Sequence, residues 1–260
     1  MHALPTLLAL SLALSFALAS SVHAADAPTE RRTDAQGWTL NLESGGVTFS
    51  RNKARIPNDT GTRFDLLELT GDGPEAYARV SATYDFNTRH ALRLTLAPLE
   101  SAGTGALDGP VRFQGADFAA GVPTRGEYAF NTYRLTYRWM AHRSEQWDWG
   151  LGATLLVRDA KTALQQGAVQ RSKNDVGVVP LLHLYGAWHL TERTSLVADF
   201  EGAAAPQGRA VDLALSLQHT LPSGWQLFAG YRTLEGGADN DSVYTFAWLH
   251  FAVVGVGYRF

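Results

Sequence analysis

Long stretches of this sequence alternate between large apolar and small or polar residues at every second position. This is the periodicity of a β-strand and not of an α-helix. Residues 133–139, 182–190, 211–217 and 225–233 all show the pattern. These runs are longer than the usual soluble strand of about 5–6 residues. The alternation therefore predicts an all-β chain built from long strands, each with one apolar face.

Aromatic residues stand at the ends of these apolar faces, as Trp188 and Trp248 do, and short turns alternate with longer polar connections. Bacterial outer-membrane barrels have aromatic girdles at both membrane interfaces, short periplasmic turns and longer external loops. We expect the longer polar segments, residues 99–126, 161–177 and 235–243, to be external loops. Charged residues make up only 18% of the chain, below the ~25% of soluble domains, which fits a wall that faces lipid.

The first 24 residues have the features of a secretory signal peptide. They contain no Asp, Glu, Lys or Arg, they are apolar over residues 7–19, and they end in the small-x-small sequence Val22-His23-Ala24. The sequence after residue 24 contains no run of about 18 apolar residues, so it predicts no transmembrane helix. The sequence therefore predicts a signal peptide (1–24), a short periplasmic segment (25–36) and a membrane-inserted barrel (37–260).

The chain ends in a terminal phenylalanine whose face is shared by other apolar residues at every second position, namely Val254, Val256, Tyr258 and Phe260. This ending resembles the C-terminal strand by which outer-membrane barrels are recognised for insertion. The chain is thereby identified as a Gram-negative outer-membrane β-barrel of no named subfamily. The resemblance implies location in the cell outer membrane, contact with its lipid and lipopolysaccharide, and insertion by the barrel-assembly machinery.

Counting strands backwards from the C-terminus gives a transmembrane antiparallel up-and-down barrel of ten strands, with twelve or eight as alternatives. An even number is required because both chain ends are expected in the periplasm. Residues 62–70 and 111–118 would be additional spanning strands in a twelve-stranded barrel. In the ten-stranded barrel they lie in external loops instead, as short strands or a lid above the rim.

The strand faces opposite the apolar ones are unusually ionic. If the apolar face meets lipid, its alternate faces the lumen. The inward set is then Glu43, Arg79, Asp85, Arg93, Arg134, Arg138, Asp148, Arg158, His183, His189, Asp199, Glu201, Asp212 and Arg232. Arginine outnumbers lysine by 19 to 3, and its planar fork pairs well with carboxylates in a confined space. A narrow barrel would be largely filled by these side chains.

Strand register suggests that five of these residues cluster just below the outer rim, on five adjacent strands. They are Arg158, His183, Glu201, Asp212 and Arg232. The favoured interpretation is a paired charge network that fixes the barrel wall, because unpaired charges there would be costly. The alternative is a constriction or binding site where rings of charge select small solutes.

Two kinds of outer-membrane enzyme have site residues that partly resemble residues of this chain. Omptin-like proteases place acidic residues and an Asp-His pair near the rim, and Glu201, Asp212 and His183 have a comparable height but no matching motif. Lipid A deacylases use a serine and a histidine at the membrane interface, which directs attention to Ser242 and His250. Neither pattern is sufficient to assign an enzyme, so we predict no catalytic residues.

The sequence predicts no cofactor and no metal site. Cysteine is absent, and His183 and His189 would lie about 20 Å apart along an extended strand. Asp239-Asn240-Asp241 lacks the other ligands of a calcium loop. A net charge of −3 argues against nucleic-acid binding. The basic loop residues are candidates for contacts with lipopolysaccharide phosphates: Arg51, Lys53, Arg55 and Arg63.

These observations favour a narrow passive channel, or a structural barrel, with a charged and largely filled lumen. Small solutes are its possible ligands. The alternatives are an outer-membrane enzyme that acts on lipid or peptide at the external rim, and a loop-mediated adhesion or binding protein.

Overall fold

Strands account for nearly all the regular structure of residues 36–260, which are the residues that the computed structural model describes. The predicted signal peptide and residues 25–35 lie outside this range. Within residues 36–260, no helix is long and apolar enough to cross a bilayer. The elements are β1 (Gly37–Arg55), β2 (Phe64–Asp65), α1 (Leu67–Thr70), β3 (Glu75–Asp85), β4 (His90–Ala97), β5 (Glu100–Ala106), β6 (Val111–Phe113), β7 (Ala116–Phe118), β8 (Pro123–Arg143), β9 (Trp147–Gln166), β10 (Val169–His189), β11 (Thr194–Ala205), β12 (Gly208–Thr220), β13 (Trp225–Asp239) and β14 (Tyr244–Arg259).

The sheet closes on itself because β14 pairs with β1, from Thr39 opposite Arg259 to Arg55 opposite Tyr244. Every neighbouring pair is antiparallel. β4 and β5 both pair with β8 and together form one wall strand, which is interrupted at residues 98–99. The barrel therefore has ten wall strands, which confirms the predicted up-and-down fold and excludes twelve spanning strands.

Several predicted external loops are in fact strand. The segment 161–177 is the outer part of the β9–β10 hairpin, and β13 continues to Asp239. The outward face of these parts carries mostly polar or small residues because the wall extends beyond the lipid there, where that face need not be apolar. Alternation is lost although the hydrogen-bonded ladder continues, so the sequence pattern underestimates strand length.

The large apolar residues on the predicted lipid face are exposed on the outside of the barrel. Leu94, Val178 and Val254 are 54%, 60% and 57% exposed. Trp147 and Trp188 stack on the outer wall with ring centroids 5.4 Å apart. Phe260 is 65% exposed. The outer wall is thus an apolar band bordered by aromatic rings, as a lipid-facing surface requires.

The lumen is lined by apolar residues in the half of the barrel that lies nearer the β9–β10 turn, which we call the outer half. One cluster lines the wall around Val47, Phe49, Leu249 and Phe251. A second cluster lies above it and comprises Ala54, Ile56, Phe64, Leu66, Leu69, Leu107, Val111, Phe113, Phe118, Leu164 and Val243. Residues 62–70 and 111–118 supply most of the second cluster, so they form a plug. The predicted filling of the lumen by charged side chains does not account for this half, where inward positions pack the apolar plug instead.

The short helix α1 rests on a patch of glycines on the inner face of β5 and β8. A Cβ atom at Gly105 would lie 2.1 Å from the carbonyl oxygen of Glu68, and one at Gly103 would lie 2.4 Å from that of Leu69. Side chains at these positions would push α1 away from the wall. The glycines therefore allow the plug to be seated inside the barrel.

Candidate functional site

Eight charged side chains meet across the lumen below the apolar plug, and we call them the ionic layer. They are Glu43, Arg79, Arg93, Arg134, Asp199, Glu201, Asp212 and Arg232. All lie at inward positions of their strands, on β1, β3, β4, β8, β11, β12 and β13. The layer is formed because alternation directs each of these residues to the same side of the wall.

Arg134 is at the centre of the ionic layer. Its Nη1 donates to Glu201 Oε2 at 2.5 Å and to Asp212 Oδ2 at 2.6 Å, and its side chain is 2% exposed. Arg134 lies on β8, whereas both carboxylates lie on strands farther round the barrel. This guanidinium therefore links opposite walls.

A second guanidinium closes the layer on the β1 side. Arg232 donates to Asp212 Oδ1 at 2.6 Å and to Glu43 Oε2 at 2.9 Å. Arg79 adds a contact to Asp212 Oδ2 at 3.3 Å, and the hydroxyl of Tyr77 donates to Glu43 at 3.1 Å. Asp212 is thus surrounded by three arginines and Glu43 is held by two donors.

Arg93 pairs with Asp199 at 2.5 Å and with Glu201 Oε1 at 3.0 Å. The hydroxyls of Thr136 and Thr154 also donate to Glu201 Oε1, each at 3.0 Å. Both oxygens of Glu201 therefore have partners. Buried charges are tolerated only when paired and hydrogen-bonded in this way.

Three of the five predicted cluster residues, Glu201, Asp212 and Arg232, lie in the ionic layer. His183 is beside it, completely buried, with Nδ1 3.7 Å from Asp199 Oδ1. Arg158 lies nearer the outer end of the barrel and pairs with Asp175. The two are separated because His183 is opposite Gly152, whereas Arg158 is opposite Gly177.

Arg158 lies apart from the other predicted residues because the β9–β10 hairpin extends farther along the barrel axis than the β11–β12 hairpin. The β9–β10 hairpin turns at residues 167–168, well beyond the level of the β11–β12 turn at residues 206–207. Counting residues from each turn therefore placed Arg158 at too low a level. The register of the long hairpin is visible only in the paired strands.

Sequence reasoning placed Glu43, Arg79, Arg93, Arg134 and Asp199 on the inward faces but did not group them. Their partners lie across the lumen and not on the neighbouring strand. Such contacts depend on how the sheet curls and how its strands are staggered. The sequence did offer one signal for this grouping, because these arginines and carboxylates all fall at inward-facing positions of their strands.

Among residues 36–260, one group of side chains has the ligand spacing of a metal site. The ligand atoms of His183, Asp199 and Glu201 lie within 4.8 Å of one another. Arg93 already binds both carboxylates, and its positive charge stands where a cation would have to bind. These residues do not fit a metal ion.

The omptin-like interpretation also disagrees with the geometry. Glu201 and Asp212 are neutralised by arginines and lie beneath the apolar plug. A protease site must be open to a peptide at the rim. His183, Glu201 and Asp212 are buried in the barrel interior, so they do not form such a site.

Below the ionic layer lies a cavity of about 280 Å³ that we call the vestibule. Its lining reaches Thr39, Asp85 and Arg259, which lie at the end of the barrel where the chain terminates. Arg138 and Arg143 line it as well. The guanidinium of Arg138 lies 4.5 Å from the ring centroid of Tyr185, and neither arginine has a carboxylate partner within residues 36–260.

Comparison with solved structures shows that the chain has the fold of outer-membrane β-barrels. The outer membrane protease OmpT from Escherichia coli has a TM-score of 0.59 at 8% identity, covering 86% of this chain and 97% of that one. The β-domain of the Bordetella autotransporter BrkA has a TM-score of 0.47 at 14% identity, covering 87% and 100%. Ail, the attachment invasion locus protein of Yersinia pestis, has a TM-score of 0.42 at 10% identity, also covering 87% and 100%.

No family model matches the chain, and no curated protein matches it. The solved structures are Gram-negative outer-membrane barrels, and this chain belongs to the same fold class without a named subfamily. OmpT, which has a TM-score above 0.5, shares only the fold with this chain at 8% identity, and a shared fold does not assign an activity.

Proposed function

We propose that this protein is a non-conducting outer-membrane barrel whose vestibule binds small anionic solutes from the periplasm. The observation that carries the proposal is the apolar plug above the ionic layer. Because the plug closes the lumen above the ionic layer, the vestibule is open at one end only and is not part of a continuous pore. The proposal keeps the predicted filled lumen and favours a closed barrel over a passive channel.

Two successive barriers support the absence of conduction. Leu66, Phe113 and Leu164 are at most 1% exposed within the plug. The next level down is crossed by the bonds of Arg134 and Arg232. An ion would have to displace both an apolar core and a fully paired charge network, and each is costly to open.

The charges of the vestibule favour an anion. Its lining contains Arg79, Arg93 and Arg232, which face carboxylates of the ionic layer, and Arg259, which pairs with Asp85 at 2.9 Å. This leaves Arg138 and Arg143 available to bind a ligand. A guanidinium group can form bidentate hydrogen bonds with a carboxylate or a phosphate.

The orientation follows from the general architecture of these barrels, in which short turns and chain ends lie in the periplasm. On this basis the vestibule faces the periplasm and the plug faces outwards. Delivery would depend on the predicted signal peptide, residues 1–24. Insertion would depend on the exposed C-terminal face formed by Val254, Val256, Tyr258 and Phe260.

Conductance tests the closed barrel. Purified protein and the Arg232→Ala variant are incorporated into planar bilayers, with a known open porin as a positive control. We expect no resolvable single-channel current from the unsubstituted protein. Steady, ion-selective current that changes with Arg232→Ala would overturn the closed-barrel proposal and favour a passive channel.

Anion binding is tested by calorimetric titration with citrate and with inorganic phosphate. The Arg138→Gln/Arg143→Gln double variant should lose affinity by at least about tenfold, because each charged hydrogen bond contributes substantially. Arg193→Gln, at an exposed residue of a short turn, is the matched control. Equal binding by all three proteins, or no binding by any, would contradict the proposal.

A further inference from the structure

Three side chains form a hydrogen-bonded chain on the lipid-facing wall, across the seam where the barrel closes. Ser50 Oγ lies 2.9 Å from His250 Nε2, and His250 Nδ1 lies 2.5 Å from the hydroxyl of Tyr231. They lie on β1, β14 and β13, which are adjacent strands. A serine, a histidine that reaches its hydroxyl, and a third group that orients the histidine are the components of an activated nucleophile.

The backbone supports this arrangement independently. Phe49 pairs with Leu249 and Arg51 pairs with Trp248, so Ser50 is the extra residue of a β-bulge. A bulge bends its strand and re-aims a side chain, and bulges are frequent beside active sites. Ser242, the serine considered beside His250 from the sequence, lies in the β13–β14 turn, and the serine that contacts His250 is Ser50 of the bulge.

A second histidine–tyrosine pair on the same wall provides an internal comparison. His90 Nδ1 lies 2.7 Å from the hydroxyl of Tyr137, and the rings are stacked much as those of His250 and Tyr231 are. His90 has no serine on its other nitrogen within residues 36–260. Of these two histidine–tyrosine pairs, only that of His250 and Tyr231 also contacts a serine hydroxyl.

The surroundings point to a lipid as the ligand. Trp248, at the upper end of the lipid-facing surface of β14, donates from its indole to Thr233 at 2.8 Å. The guanidinium of Arg51 lies 5.9 Å from the Trp248 ring centroid, and Arg51 is 3.8 Å from Glu235. The apolar wall below Trp248 would accept the acyl chain of a lipid. The guanidinium of Arg51, at the aromatic girdle, would bind the anionic headgroup of the same molecule.

We propose that Ser50, His250 and Tyr231 form a hydrolytic site for an acyl ester of an outer-leaflet lipid. Ser50 Oγ attacks the ester carbonyl while its proton passes to His250 Nε2. The bond to the alcohol oxygen then breaks, and the imidazolium returns the proton to that oxygen. Water attacks the acyl-serine, which releases the fatty acid and restores Ser50. Tyr231 is a positioning residue that accepts a hydrogen bond from Nδ1–H.

The first test uses the unsubstituted full-length protein in phosphatidylethanolamine–phosphatidylglycerol vesicles. A long-chain alkyl fluorophosphonate should label one serine, and peptide mass mapping should locate it at Ser50. The same vesicles should release free fatty acid. No label on Ser50 in folded barrel, together with no fatty acid release, would overturn the proposal.

Variants separate chemistry from structure. Ser50→Ala should abolish labelling, and His250→Gln should lower the rate of fatty acid release by about 10²–10⁴-fold, the usual contribution of a general base. Tyr231→Phe should lower kcat with little change in KM and displace the pH profile. Unchanged release by Ser50→Ala would contradict a serine nucleophile.

Two matched controls lie on the same wall. Ser44→Ala removes an outward-facing serine of β1 whose hydroxyl donates to the carbonyl of Tyr77, and His90→Gln breaks the pair that lacks a serine. Both should keep full release and labelling. Loss of release in His90→Gln equal to that in His250→Gln would mean that the histidines act on wall structure and not on chemistry. Heat-modifiable migration on gels verifies that each variant is folded.

Discussion

The outer and inner halves of the lumen are built from the same alternating strands but are filled in opposite ways. The outer half is packed by apolar groups such as Phe113 and Leu69, which are 0% and 3% exposed. The inner half has a polar wall around open space of about 280 Å³. The ionic layer lies between them. Alternation therefore specifies which side a residue faces, while the loops determine whether that side is packed or hydrated.

The largest effect is expected in the ionic layer, where the two halves meet. Arg134→Met should lower the free energy of unfolding by about 3–5 kcal/mol, because it leaves buried carboxylates without their shared cation. Urea titration in detergent, followed by tryptophan fluorescence, measures this. Arg125→Met on the same strand removes an exposed pair with Glu127 and should cost at most about 1 kcal/mol. Equal costs would mean that the layer is not a distinct boundary.

The plug should be nearly as sensitive to truncation. Leu69→Ala creates a cavity in the outer half and should cost about 2–5 kcal/mol. Val169→Ala, in the exposed part of the β9–β10 hairpin, should change stability by no more than about 0.5 kcal/mol. The same urea titration compares them. A small cost at Leu69 would indicate that the plug is loosely packed, which would weaken the comparison.

The glycine seat of α1 should resist enlargement. Gly105→Val should cost about 1–3 kcal/mol through overpacking and should expose residues 56–74 to added protease. Gly109→Val introduces the same side chain where no atom lies within 4 Å of the new Cβ. Proteolysis of the two variants side by side is the measurement. Protection of the loop in Gly105→Val would show that α1 can shift without leaving the barrel.

The smallest effect is expected in the vestibule. Ser216→Ala changes a side chain that lines open space, and its effect on stability should stay within about 0.5 kcal/mol. The thermal midpoint in the same detergent checks this. A cost close to that of Leu69→Ala would show that the inner half is as tightly packed as the outer half, and the contrast between them would disappear.

The fold could be predicted because its rule is local. Period-two alternation, the aromatic ends of each face and the C-terminal phenylalanine are all read within one strand at a time. The expectation that both chain ends lie on the same side of the membrane required an even strand number, but it left eight, ten and twelve strands open. Strand length did not follow, since the β9–β10 hairpin continues beyond the lipid, where residues such as Arg171 and Lys173 no longer alternate with apolar ones.

The candidate site was harder to predict because its contacts are not local. Glu201 and Asp212 are direct partners on neighbouring strands, and hairpin counting brings them together. Arg134 and Arg93 reach the same carboxylates from the opposite wall, which depends on the curl of the closed sheet. The packing of residues 62–70 and 111–118 as a plug inside the barrel could not be predicted for a further reason. Residues 62–70 and 111–118 show short apolar runs that suit a strand, a lid or a core equally well.

The seam between β1 and β14 has a consequence for when the protein can act. Ser50 and His250 stand at opposite ends of the chain and come into contact only through the pairing of the first strand with the last. A chain whose first and last strands are not yet paired has no assembled serine–histidine pair. The proposed hydrolysis would begin only when the cylinder has closed, so that completion of assembly would itself be the activating step.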